Sequence, residues 1–274
     1  MAIKSILAAY SGDARVSSGL SLAMALGKQY DAHVTGVVWR GPSFATSRQW
    51  TYMTKDIMEM LTARESEAMV EIRADFEARI AAEGDPSRSD FIDLANRSEF
   101  SLAECARGYD LVVMGSRAAA FGREYRTSRP DVVALWSGRP VILVPHDYTV
   151  QSLGESALFA WDGKRAAARA LADAMRILQT MARVTVLTIG TEIPRGPGDD
   201  IVELLLKHGI KAEGVTRPAG RGGIAATILD ACHEHRAGLL VMGAYEHSKF
   251  SEDILGGVTQ TILHDARIPV LMSH

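Results

Sequence analysis

Cysteine is nearly absent from the chain: Cys105 and Cys232 are the only two. Each falls in a predicted helix just ahead of an apolar strand, which excludes a disulfide framework and reads as a buried free thiol. Neither sign of charge is in excess. A formal net charge of −3 gives no sign of nucleic acid or an anionic membrane as a partner. Long apolar runs are missing too. "GLLVMGAY" (238–245) and "PVILVPH" (140–146) are far too short to span a bilayer. The N-terminal "MAIKSILAAYSG" has one Lys and a short apolar run, so it reads as a first strand and not as a signal peptide. There is no Ser-His-Asp order, no metalloprotease helix and no Cys-x-x-Cys pair. What is present, 47% hydrophobic residues in a chain of 274, suffices for one large core or two ordinary ones. The expectation is a soluble, cytoplasmic protein.

The chain repeats itself. "ILAAYSGDARVSSGL" (6–20) is similar to "LFAWDGKRAAARAL" (158–171), pairing Tyr10 with Trp161 and Gly12 with Gly163. "YDLVVMGS" (109–116) is similar to "AGLLVMGA" (237–244), and "GRPVILVPH" (138–146) to "RIPVLMSH" (267–274). The order is the same in both halves, and the first half carries an insertion of about two dozen residues. Two domains are expected, 1–148 and 152–274, joined by the polar "DYTVQSLGES".

Short apolar strands alternate with helical patterns in each half. Strands are expected at 4–10, 32–38, 90–96, 110–115 and 141–145, then at 156–161, 183–189, 210–216, 238–243 and 269–273. Their unbroken Val, Ile and Leu content is that of strands covered on both faces. The fold class is therefore α/β, with two tandem open, mostly parallel five-stranded sheets flanked by helices, Rossmann-like in type. The insertion, at 50–83, reads as one long amphipathic helix that "EGDP" terminates. Its stripe of Met53, Ile57, Leu61, Met69, Ile72, Phe76 and Ile80 reads as core.

Ligands of open parallel sheets bind beyond the carboxyl ends of the strands, where strand order reverses. In the second half Gly243 closes strand four, a polar loop follows, and Gly256 and Gly257 stand at the mouth of a helix with Val258 and Thr259 in its first turn. Glycines there let backbone N–H groups approach a phosphate, the helix N-terminus favours its charge, and the Thr259 hydroxyl can donate to it. Asp162, ending strand one, can accept from an adenine amino group or a ribose hydroxyl. The same residues read equally as turns and a helix cap. "GRGGIAAT" (220–227) is a weaker candidate anion turn, better read as a flexible loop. In "CHEHR" (232–236) the two histidines stand two apart and diverge on a helix, against a metal site.

"MGAYEHSKFSEDILGGVTQTIL", followed by the strand "IPVLMSH", resembles the universal stress protein signature, a Gly-x2-Gly-x9-Gly-Ser/Thr loop after strand four. "FAWDGKRAAARAL" resembles that family's strand-one segment with its Asp. Both halves share the resemblance, which implies a tandem member binding ATP, with or without Mg2+, mainly in the second domain. It assigns the site to Asp162, Gly243, Glu246, Gly256, Gly257, Val258 and Thr259. Two positions depart from the pattern: Glu246 stands at the second glycine, and Gly257 replaces the Ser/Thr. The resemblance also implies pairing of the domains through their last strands, with further homo-oligomerisation open.

The first half has lost the glycines. Thr127 and Ser128 occupy the places of Gly256 and Gly257, Ala118 that of the second glycine, and Arg117, Arg123, Arg126 and Arg129 make the loop basic. Three functions stand: a non-catalytic, ATP-binding stress-response module; a nucleotide-free interaction module with both sites decayed; and an ATP pyrophosphatase-type enzyme. For the last, "AAYSGDARVSSG" (8–19) resembles the SGG-x-D-S loop, but Asp13 stands at its second glycine and no Asp-Ser pair follows.

Overall fold

The computed structural model of the chain describes residues 2–10, 18–39, 55–94, 102–116, 130–149, 152–190, 200–244 and 257–274. The first half runs β1 (Ser5–Ala9), α1 (Ser18–Tyr30), β2 (His33–Val38), α2 (Lys55–Glu83), β3 (Ser89–Asp93), α3 (Leu102–Ala106), β4 (Leu111–Gly115), α4 (Pro130–Ser137) and β5 (Val141–Val144). The second half runs β6 (Ser156–Ala160), α5 (Arg165–Leu178), β7 (Arg183–Ile189), α6 (Ile201–Lys207), β8 (Ala212–Arg217), α7 (Gly223–Glu234), β9 (Leu239–Gly243), α8 (Gly257–Asp265) and β10 (Val270–Ser273). Each strand falls within a few residues of its expected place.

The two expected sheets are fused into one. Its ten strands run β3-β2-β1-β4-β5-β10-β9-β6-β7-β8. Within each half all pairs are parallel, and strand order reverses once, between β1 and β4 and again between β6 and β9. At the centre β5 meets β10 antiparallel, with Val141 opposite Met272 and Leu143 opposite Val270. The halves are thus joined through their last strands, and their carboxyl edges face opposite sides of the sheet.

Side chains alternate across the sheet, as a period of two requires. Ile6, Phe159 and Leu271 point into one apolar layer, under α1, α2 and α5; Leu7, Leu158 and Met272 point into the other, under α3, α4, α7 and α8. Both layers continue across the junction of the halves.

The insertion helix begins at Lys55 within the described residues and ends at Glu83. Gly84 donates its N–H to the Ile80 carbonyl, and Asp85 caps the short 3-10 turn at Pro86–Arg88 through Ser87. Only the last part of the expected stripe is core. Ile72, Phe76 and Ile80 are buried and Met69 packs half-buried against them, whereas Ile57 is 42% exposed; the Leu61 side chain lies outside the described residues. The reason is length. A helix of 29 residues extends about 43 Å, while a five-residue strand covers about 17 Å, so the first turns outrun the sheet. Met53 lies outside the described residues.

Phe76 docks between Tyr10 and Phe91, at ring-centroid distances of 6.1 and 5.2 Å. Asp75 beside it accepts from the Tyr10 hydroxyl and from Arg79. A Cβ on Gly36 would lie 2.4 Å from the Phe76 ring. Gly36→Ala is therefore expected to destabilise the chain by about 2 kcal/mol, read as a lower urea midpoint at unchanged slope. An unchanged midpoint would show that the ring moves aside freely.

Candidate functional site

In the second half the strand order across the sheet, β8-β7-β6-β9-β10, opens a crevice at the carboxyl ends of β6 and β9. Asp162 follows β6 and is exposed; its Oδ1 accepts from the Lys164 N–H at 3.1 Å. Between them Gly163 has φ of 78°, a left-handed conformation that side chains rarely adopt. The turn shared by Gly12 and Gly163 is thus a backbone requirement in this half; Gly12 lies outside the described residues. Asp162 closes the turn and does not cap α5, whose N-cap is Lys164, with no side-chain cap hydrogen bond.

Gly243 ends β9 on the other side of the crevice. A Cβ there would lie 2.5 Å from the Ala167 nitrogen and 2.7 Å from the Ala166 carbonyl carbon. The glycine lets the first turn of α5 lie directly on the strand. The first half makes the same contact from the other side, since a Cβ on Gly19 of α1 would lie 2.7 Å from the Gly115 nitrogen. Close helix–strand packing therefore accounts for Gly243 without a ligand.

The two ends of the signature loop differ. Gly257 opens α8, is exposed, and has no atom of the described residues within 4 Å of the position a Cβ would take. Val258 is half-buried. Thr259 is buried, one helical turn before the buried Ile262, so it sits on the sheet-facing side of α8. The exposed hydroxyl of this turn belongs to Thr261, which donates to the Gly257 carbonyl at 2.8 Å. Glu246 and Gly256 lie outside the described residues, as do Thr127, Ser128 and the arginines 117, 123, 126 and 129 of the first-half loop. Pro130 opens α4, in keeping with proline's fit to a first helical turn.

The other candidates resolve differently. "GRGGIAAT" is a closed turn and not a loose loop: Gly220 and Gly223 bridge, and the Thr227 hydroxyl accepts from the Gly220 N–H at 2.9 Å while donating to the Gly223 carbonyl at 2.8 Å. That N–H is already used. His235 turns toward Thr185 and Glu213, while His233 is exposed. Among the described residues no group of three or more His, Cys, Asp or Glu side chains is placed to hold a metal. Burial pushes the Cys232 thiol up to about 12 and also raises Cys105, so neither is a ready nucleophile at neutral pH. Among the described residues no helix is long and apolar enough to cross a membrane.

A doubly wound sheet with a turn acid and a close helix around one switch point defines a Rossmann-like α/β architecture. The model of the universal stress protein family matches residues 155–274, so the second half carries the likeness to that family. Among solved structures, a universal stress protein from Archaeoglobus fulgidus is 18% identical at a TM-score of 0.69, covering 98% of this chain and 95% of that one. A putative universal stress protein from Pseudomonas aeruginosa is 15% identical at 0.58, covering 99% and 93%. A protein of unknown function from the same species has the same identity and score, covering 99% and 92%. At these identities the likeness is one of fold, and it extends over both halves. No curated protein matches the chain.

Proposed function

We propose that the chain is a non-catalytic stress-response module of two domains, 1–148 and 152–274, whose second domain binds ATP in the crevice between β6 and β9. The observation that carries this reading is the open mouth of α8. Gly257 offers its N–H at a helix N-terminus, with no atom of the described residues within 4 Å of the position a Cβ would take, on the edge of the sheet that also carries Asp162. Such a mouth favours a phosphate through oriented N–H groups and the helix dipole. Asp162 retains acceptor capacity for a ribose hydroxyl or the adenine amino group. Thr259, being buried, supports the turn and not the ligand, so the contact falls to the backbone of Gly256, Gly257 and Val258.

A nucleotide-free interaction module is the second reading. It is favoured by Gly243, which packing explains in full, and by the carboxylate of Glu246 in the signature. Calorimetry with ATP, with and without Mg2+, separates the two. Saturable binding below about 1 mM is the expected result. Its absence would leave the interaction module, and steady release of AMP and pyrophosphate would make the protein an enzyme instead.

A further inference from the structure

A second cavity, of about 240 Å³, lies between the two halves. Ile3, Asp110 and Arg139 line it from the first half, and Arg169, Asp173 and Arg176 from the second. The last three stand four and three residues apart on α5, on one helix face. Their charges do not balance. Asp110 Oδ2 is occupied by three donors, the Lys4 and Ser5 N–H groups and the Ser5 hydroxyl, at 2.8 to 3.0 Å. Asp173 pairs with Arg169 Nε at 2.9 Å, and its side chain is only 9% exposed.

The other guanidinium contacts go to neutral groups. Arg139 donates from Nε and Nη2 to the Arg107 carbonyl, at 3.1 and 2.7 Å, and Arg169 donates to the Gly138 carbonyl at 3.4 Å. Arg176 stands over the Tyr30 ring at 5.9 Å and has no carboxylate or carbonyl partner among the described residues. Three guanidinium groups thus face two carboxylates, one salt-bridged to Arg169 and one whose Oδ2 takes three donors, which leaves a net positive lining.

We propose that this cavity binds a small phosphate-class oxyanion, held by Arg139, Arg169 and Arg176, and that the bound anion clamps the two halves together. The planar fork of arginine matches such an oxyanion with paired N–H donors. The volume is below the roughly 300–1,000 Å³ of pockets for drug-sized ligands, so it fits a phosphate or a small monoester and not a nucleotide. The site is separate from the crevice at β6 and β9 and stands whether or not ATP binds there.

The test is calorimetry and thermal unfolding of the full chain with inorganic phosphate, at an ionic strength held constant with chloride. Saturable binding near 1 mM or tighter is expected, with a melting temperature that rises with phosphate. Arg176→Gln should weaken binding about tenfold, and Asp173→Asn, which releases Arg169, should tighten it by a similar factor. Arg176→Lys keeps the charge, loses the fork and should weaken binding several-fold; it serves if the Gln variant does not fold. No saturation by about 10 mM, or equal affinity in the wild type and the Arg176 variant, would overturn the proposal. So would displacement of phosphate by adenosine, because adenosine carries no phosphate and belongs to the nucleotide crevice.

Discussion

Replacing Gly243 with alanine is expected to lower the stability of the chain by about 3 kcal/mol. The added Cβ would meet backbone atoms of Ala166 and Ala167 at 2.5 and 2.7 Å, and backbone cannot rotate aside as a side-chain tip does. The helix must lift from β9, and α5 carries Ala167, Ala170, Leu171 and Ile177 into the layer it shares with Phe159 and Leu271. A lift of the first turn thins that layer along its length, which adds lost contact to the clash. Gly257→Ala is the informative partner. No described residue stands near its Cβ position and it begins a helix, so its stability should stay within about 0.5 kcal/mol of wild type. Chemical denaturation measures both. A Gly243 variant as stable as wild type would show that α5 accommodates the methyl group. The binding readout divides the other way: with its fold intact, the Gly257 variant should weaken ATP, because a Cβ then stands where the phosphate approaches. A Gly257 variant of unchanged affinity would remove that turn from the site.

This split bears on how a glycine signature is read. In the sequence Gly243 and Gly257 look alike, two glycines flanking one loop. The structure gives Gly243 a physical reason, a helix lying on its strand, and brings no described residue against Gly257. Spacing does not separate these, because both demand only the absence of a side chain. The strands were far more legible. Helices cover the sheet on both faces, so runs such as "LLVMG" and "VILV" carry no polar interruption, and their limits follow from composition. The union of β5 and β10 is a different matter. Both strands are wholly buried, and burial alone does not tell which edge a strand pairs with. That pairing came from resemblance, not from periodicity.

The insertion helix shows the opposite limit. Its apolar spacing continues through Ile57, Met69, Ile72 and Phe76, yet burial stops where the sheet stops, and periodicity contains no measure of the surface beneath it. The arginine cavity was hidden for a related reason. Arg169, Asp173 and Arg176 share only helical spacing in the sequence; antiparallel union of the halves brings Arg139 and Asp110 against them.

Exchanging Glu246 for glycine is expected to tighten ATP binding by two to three decades. In the ATP site proposed above the signature loop would set backbone against the ligand at this position, so a carboxylate there would add both bulk and a negative charge beside the phosphates. At a few ångströms and an effective dielectric near 20 the repulsion is on the order of a few kcal/mol, which corresponds to roughly 100- to 1,000-fold in affinity. Lys249 follows three residues on, and Lys164 and Arg165 stand at the start of α5; these cations would offset part of the penalty and bring the expected gain toward its lower end. Mg2+ discriminates the two roles open to the carboxylate. If Glu246 only repels, the glycine variant gains affinity with and without Mg2+. If it holds a divalent ion that bridges to phosphate, the variant gains affinity in EDTA but loses it in Mg2+. Calorimetry of wild type, Glu246→Gly and Glu246→Gln in both conditions reads this directly. The Gln variant keeps the bulk and removes the charge, so it recovers the electrostatic share alone. Equal affinities across all three proteins would place Glu246 away from the phosphates and return the site's weakness, if it is weak, to the loop's shape.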